Sequence, residues 1–202
     1  MLDNDQARKT VSKLIEPILK ILIRLGVTPD FITCAGGLGT VASATFFLSQ
    51  GDFLIAAILI GVFSLSDLLD GALARRLGTN GPWGAFIDST FDRVSDAAVI
   101  GALAYFYLNE YSGLRSSLGI ACLIALVMGQ LTSYARARAE GLGLDCKVGI
   151  AERAERSLIL WVGMLATGLG LNILPTAIYL LAIASTITVG QRIAHVYQQT
   201  HL

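Results

Sequence analysis

Over the first 25 positions, Val11, Leu14, Ile15, Ile18, Leu19, Leu22 and Leu25 recur at spacings of three and four, with Lys9, Lys13, Lys20 and Arg24 on much of the other face. That periodicity predicts an amphipathic helix over 5–25 whose basic face suits a membrane interface. Six longer apolar stretches follow, roughly 30–49, 53–74, 84–108, 114–139, 157–171 and 174–195. Most approach the ~20 residues a helix needs to cross the hydrocarbon layer. Polar or turn-prone segments separate them, among them Gln50-Gly51-Asp52, Gly78-Thr79-Asn80-Gly81-Pro82 and a longer charged loop near 140–156. The predicted fold is an all-α membrane protein: an interfacial helix over 5–25, then six transmembrane helices over 28–198, in a single domain spanning 1–202.

Composition agrees with the pattern. Of the 202 residues, 54% are hydrophobic and 15% charged, against about 25% charged in soluble domains. Mean hydropathy is +0.65. The net charge is zero, so no basic excess points to nucleic acid. Cys34, Cys122 and Cys146 form no metal-ligand spacing and read as small packing residues. With six spans both termini share one side, and of the 15 Lys and Arg residues only Arg115 falls on the other. The positive-inside rule makes the crowded side cytoplasmic.

The informative departures are carboxylates placed inside the apolar stretches. The second and third spans carry Asp67, Asp70, Asp88, Asp92 and Asp96. An ionised carboxylate at mid-span costs about 2.5–3.5 kcal/mol on insertion scales and is read first as functional. Asp67 and Asp70 are three apart, Asp88 and Asp92 four apart, so each pair shares a helix face. A short loop joins the two helices, which lets both pairs converge near the cytoplasmic side. Carboxylates gathered in a low-dielectric pocket require protons or a cation. An oxygen-only ligand set without His or Cys favours Mg²⁺ or Mn²⁺, and two such ions suit phosphoryl chemistry. Gly71 removes a side chain beside Asp70, Ala74 is small, and Arg75 can grip phosphate oxygens in bidentate fashion. Gly84, on the face of Asp88, predicts close helix approach.

The combined pattern reads Asp67-x2-Asp70-Gly71-x2-Ala74-Arg75-x8-Gly84-x3-Asp88-x3-Asp92. At these residues the chain resembles the CDP-alcohol phosphotransferase family, and every position of that family's signature is filled. The resemblance implies a six-helix membrane enzyme of phospholipid synthesis, commonly a homodimer, with its site open to the cytoplasm. It implies that Asp67, Asp70 and Asp88 are the main metal ligands, and that Asp92 completes the metal site and acts as general base. Gly71, Ala74 and Arg75 would hold the cytidine diphosphate, together with Asp67 and Asp70. The segment Thr28-Pro29-Asp30-Phe31-Ile32-Thr33 also matches, which implies that Asp30 and Thr33 help bind the nucleotide.

The second half bears on the acceptor. Ser133, Arg136 and Arg138 end the fourth span, Arg153 and Arg156 open the fifth, and Arg192 lies late in the sixth. A pocket built from these cations suits an acceptor that carries its own phosphate. Segments Val27-Thr28-Pro29-Asp30, Ser133-Tyr134-Ala135 and Val189-Gly190-Gln191-Arg192 resemble actinobacterial members of the family. For those the resemblance implies CDP-diacylglycerol as donor and inositol 1-phosphate as acceptor. Two departures stand out: Ala154 replaces an expected proline, and the order of residues over 77–81 differs. A sister enzyme using glycerol 3-phosphate is the nearest alternative. A divalent-cation transporter is the remote one, and it gives the Gly-x2-Ala-Arg element no role.

Overall fold

The computed structural model describes residues 15–110 and 116–201, so residues 5–14 of the expected interfacial helix, and Arg115, lie outside the described residues. Residues 15–24 are helical and form α1. Leu19 of α1 is buried against Ile32 and Leu73, with Ile15 and Leu22 packed around them. Ile21 and Leu25 point outward. The stripe is thus divided between docking on the protein and an exposed apolar edge. Glu16 pairs with Lys20 at 3.4 Å and with Arg76 at 3.6 Å. Lys20 and then Arg76 hold its carboxyl below the usual carboxylate range.

The remaining elements are α2 (Pro29–Phe46), α3 (Phe53–Ser64), α4 (Ser66–Leu77), α5 (Pro82–Glu110), α6 (Ser116–Gly141), α7 (Arg153–Gly168) and α8 (Leu174–His201). No strand occurs among the described residues. Thr28 caps α2 by accepting the Phe31 N–H at 3.3 Å, and Pro29 opens the helix, where its missing N–H costs nothing. Gly78, in the left-handed region at φ 69°, ends α4 with its N–H on the Ala74 carbonyl. That assigns the 77–81 departure a capping role.

Among the described residues, four segments are long and apolar enough to cross a membrane: Pro29–Gln50, Phe53–Leu77, Ser117–Gly141 and Leu174–His201. The other two predicted stretches are helices as well. The 29-residue α5 is interrupted by Asp88, Asp92, Arg93 and Asp96, and α7 has only 16 residues. Large apolar side chains such as Leu38, Ile58, Val62, Val127 and Ile183 are exposed on outward faces. Apolar surface on that scale belongs in lipid, and the protein is an integral membrane protein.

The second predicted span is broken into α3 and α4 at Leu65. Ser64 and Ser66 donate their hydroxyls to the carbonyls of Ile60 and Phe63, at 2.8 and 2.6 Å. Such back-bonding bends helices. The break places Asp67 in the first turn of α4 and Arg75 and Arg76 in the last, each at the end whose dipole favours its charge.

Helix α2 packs on α3, α4 and α5; α3 packs on α7; α6 joins α5 to α8. Glycines make the α2 contacts close. A Cβ at Gly36 would strike the Ser66 side chain, one at Gly37 the Phe91 ring, and one at Gly39 the Phe63 ring. The core between the helices centres on Leu48, Ala56, Leu103, Phe106, Met164 and Ile178. Trp161 of α7 donates its indole N–H to the Ala57 carbonyl of α3 at 2.8 Å.

Gly37→Leu should therefore push α2 off α5, at about 1–3 kcal/mol for overpacking, and lower the melting temperature in detergent. Gly190→Ala, where nothing lies within 4 Å of the added carbon, should not. Equal melting temperatures for Gly37→Leu and the unmodified protein would contradict this packing.

Candidate active site

The bend at Leu65 and the glycine face of α2 bring the start of α4 beside the first half of α5. Asp67 and Asp70 on α4 and Asp88 on α5 each offer an oxygen, all within 4.8 Å of one another. Asp70 is 8% exposed and accepts a hydrogen bond from the Thr33 hydroxyl of α2. Three oxygen donors from three acidic side chains fit a hard divalent cation. No His or Cys belongs to the group. Thr33, expected at the nucleotide, orients a carboxylate of the acidic cluster.

Asp92 lies one turn along α5 and is not one of the three. Its Oδ1 receives Arg153 Nη2 at 2.6 Å, and Arg93 Nη2 stands 3.8 Å from Oδ2. Arg153 also reaches Asp67 at 4.0 Å and Asp96 at 3.7 Å. This arginine therefore sits among the aspartates, bridging the acidic group and the basic side. Asp96, given no role by sequence reasoning, stands 3.9 Å from Arg156 as well. Its spacing of four from Asp92 was the available signal. The Nε atoms of Arg93 and Arg153 are buried and make no hydrogen bond, although that of Arg153 stands 3.7 Å from the Asp96 carboxylate.

The remaining cations gather on one stretch of α6. Arg156 donates to the carbonyls of Ala151 and Gly129, at 3.4 and 3.5 Å. Ser133 reaches the same Gly129 carbonyl at 3.5 Å. Arg192, 3% exposed, donates to the Val148 carbonyl at 2.9 Å and to that of Thr132. Arg136 turns to Glu140 at 2.9 Å, and Arg138 is exposed on α6. The structure thus joins Ser133, Arg156 and Arg192 around residues 129–133, with Arg153 between them and the aspartates. It does not draw Arg138 in.

On the nucleotide side, a Cβ at Gly71 would lie 3.3 Å from Arg75 Nη1, so the glycine leaves room for the guanidinium. Ala74 is half-buried beside it. Nothing lies within 4 Å of a Cβ built at Gly84. The expected close helix approach at Gly84 is therefore corrected: the position faces open space, because the tight contacts of this region are made by α2. Asp30 accepts the indole N–H of Trp83 at 2.9 Å, which ties the start of α2 to the start of α5. Trp83 escaped sequence reasoning; an aromatic immediately after Pro82 was its only mark.

A cavity of about 450 Å³ lies between the acidic side chains of α4 and α5 and the start of α7. Asp67, Asp88, Asp92, Arg153 and Arg156 line its polar part, and Ile60, Val99, Leu160, Trp161 and Met164 its apolar part. One space thus offers acids, cations and an oily wall, the combination a phosphate-linked lipid needs.

The family model of CDP-alcohol phosphatidyltransferases matches residues 26–190. The chain is 38% identical to the phosphatidylinositol phosphate synthase of Streptomyces avermitilis, over 98% of this chain and 83% of that protein. It is 40% identical to the synthase of the same name from Cutibacterium acnes, over 92% and 93%. Among solved structures it matches the Mycobacterium tuberculosis phosphatidylinositol phosphate synthase with CDP-DAG bound. The TM-score is 0.85 at 37% identity, covering 92% of this chain and 94% of that one. The same synthase in complex with manganese and citrate matches with a TM-score of 0.83 at 38% identity, covering 90% and 88%.

If Thr33 orients Asp70, Thr33→Val should weaken Mn²⁺ binding about 10–100-fold, the usual cost of losing a partner of a ligand. Asp70→Asn should abolish binding. Titration of the purified protein with Mn²⁺, followed by electron paramagnetic resonance, reads both. Unchanged affinity in Asp70→Asn would remove this residue from the metal site.

Proposed function

The chain belongs to the CDP-alcohol phosphatidyltransferase family, and on that premise we propose that it transfers the phosphatidyl group of CDP-diacylglycerol to inositol 1-phosphate. The products are phosphatidylinositol phosphate and CMP. The observation that carries the acceptor is the pair Arg153 and Arg156, which lines one cavity together with Asp67, Asp88 and Asp92. The names of the relatives support the same reading.

In this reading Asp67, Asp70 and Asp88 hold Mg²⁺ or Mn²⁺, two ions with Asp92 included. When bound, the metal neutralises the diphosphate of the donor and stabilises the departing CMP. Asp30, Gly71, Ala74 and Arg75, with Asp67 and Asp70, receive the cytidine diphosphate, and Trp83 and Thr33 hold two of these carboxylates in place. Asp92 takes the proton of the acceptor hydroxyl. The freed oxygen bonds to the phosphorus of the phosphatidyl group, and the bond from that phosphorus to the bridging oxygen breaks. Arg156, Arg192, Arg153, Arg136 and Ser133 hold the acceptor's phosphate so that its hydroxyl faces Asp92. Arg153, now on Asp92, gains a second anion when that phosphate arrives.

The same reading places the enzyme in the cytoplasmic membrane as a homodimer. Six spans, α5 and α7 included, would put both termini and the site at the cytoplasm, with the N-terminal helix in the interface. The charge distribution supports this orientation.

Two expectations test the chemistry. Asp92→Asn should lower turnover ~10²–10⁴-fold, the usual range for a general base, with donor binding little changed. Equal loss of donor binding and turnover would make Asp92 chiefly a metal ligand.

The acceptor is tested by CMP release with inositol 1-phosphate, free inositol and glycerol 3-phosphate. Inositol 1-phosphate should be preferred, and free inositol should be poor because it leaves the arginines without an anion. Arg156→Gln should raise the acceptor KM by roughly ten- to a hundredfold, the equivalent of one lost charge-assisted hydrogen bond, while the donor KM holds. Preference for glycerol 3-phosphate would overturn the acceptor and leave the family intact.

A further inference from the structure

Residues 142–152 link α6 to α7 without regular structure. An irregular segment must still satisfy its backbone groups, and here one helix face supplies the partners. Asp145 N–H donates to Gln199 Oε1 at 3.1 Å, and Gln199 Nε2 returns a bond to the Asp145 carbonyl at 2.6 Å. Arg192 Nε holds the Val148 carbonyl at 2.9 Å. The N–H of Ile150 donates to Gln191 Oε1 at 3.1 Å, and that of Ala151 to Thr188 Oγ1 at 3.2 Å. Gly149, at φ 138°, lies so close that a Cβ would strike the Thr188 methyl. The segment is a strap laid along α8.

The strap ends at the basic group. Glu152 starts α7 without a side-chain cap, and Arg153 follows it directly. The Ala151 carbonyl itself receives Arg156 Nη1 at 3.4 Å. Residues 150 and 151 therefore set where both arginines stand, and α8 sets residues 150 and 151.

We propose that Gln191 is a positioning residue for the acceptor: by fixing Ile150 it aims Arg153 and Arg156 across the cavity at the acceptor's phosphate. The assignment rests on the reading of these arginines as phosphate-binding. It gives a role to the Val189-Gly190-Gln191-Arg192 segment beyond its arginine. Gln191 is exposed and makes no contact with the acidic group, so its effect travels through the strap.

The test compares Gln191→Leu with Gln191→Glu in the purified enzyme, reading both KM values, turnover and hydrogen exchange over 145–156. Gln191→Leu should raise the acceptor KM about three- to tenfold, the equivalent of one net hydrogen bond, and speed exchange in the strap. The donor KM should stay unchanged. Gln191→Glu keeps an oxygen for the Ile150 N–H and should restore the acceptor KM. Thr188→Val against Thr188→Ser repeats the comparison at the Ala151 N–H. An unchanged acceptor KM in both Gln191→Leu and Thr188→Val overturns the proposal. So does a matching rise in donor KM, or no restoration by Gln191→Glu and Thr188→Ser. The acceptor used is whichever one the unmodified enzyme prefers. A failure of the inositol phosphate assignment therefore shows in that preference, and a failure of the basic group shows in Arg156→Gln.

Discussion

Three carboxylates within 4.8 Å of one another, at the ends of apolar helices, are the constraint to which the rest of the structure answers. Like charges in a low-dielectric setting repel strongly, and helices bearing them would separate unless something held them. Two devices do so here. The close α2 contacts at Gly36, Gly37 and Gly39 lock α3, α4 and α5 by packing. The helix break at Leu65 puts Asp67 at a favourable helix end. A divalent cation supplies what packing cannot, the compensating charge, and the manganese complex of the Mycobacterium tuberculosis synthase is in keeping with that need.

The second tier of charge obeys the same logic with opposite sign. Arg156 and Arg192 are 6% and 3% exposed, and a buried cation is costly unless it is hydrogen-bonded. Each is held by backbone carbonyls at 129, 132, 148 and 151. Carbonyl partners orient a guanidinium without neutralising it, so the charge of Arg192 stays available to a ligand, whereas Arg156 also stands 3.9 Å from the Asp96 carboxylate. Arg153 differs, since carboxylates at 67, 92 and 96 surround it. It is the point at which the acidic and basic halves are coupled.

The cavity follows from how these halves are mounted. The acids ride on α4 and α5, and Arg153 and Arg156 on α7, which packs on α3 through Trp161. The space between them is floored by Val99, Leu160 and Met164. Charged reactants therefore meet over an apolar base, where hydrogen bonds and ion contacts act with less competition from water.

The amino-acid sequence by itself determined the membrane class, the helices and the acidic signature. Apolar periodicity and carboxylate spacing are local properties, and a helix converts three- and four-residue spacing directly into a shared face. Asp67, Asp70 and Asp88 were legible for that reason. Tertiary structure alone decided which partners those residues take. Thr33 was expected at the nucleotide and stands on Asp70; Arg153 was expected at phosphate and stands among aspartates. Gly84 faces open space, while the glycines of α2 make the close contacts. Trp83 on Asp30 and the strap on α8 join residues 53 and 37–54 positions apart. Such pairings depend on how helices cross, which the one-dimensional pattern leaves open.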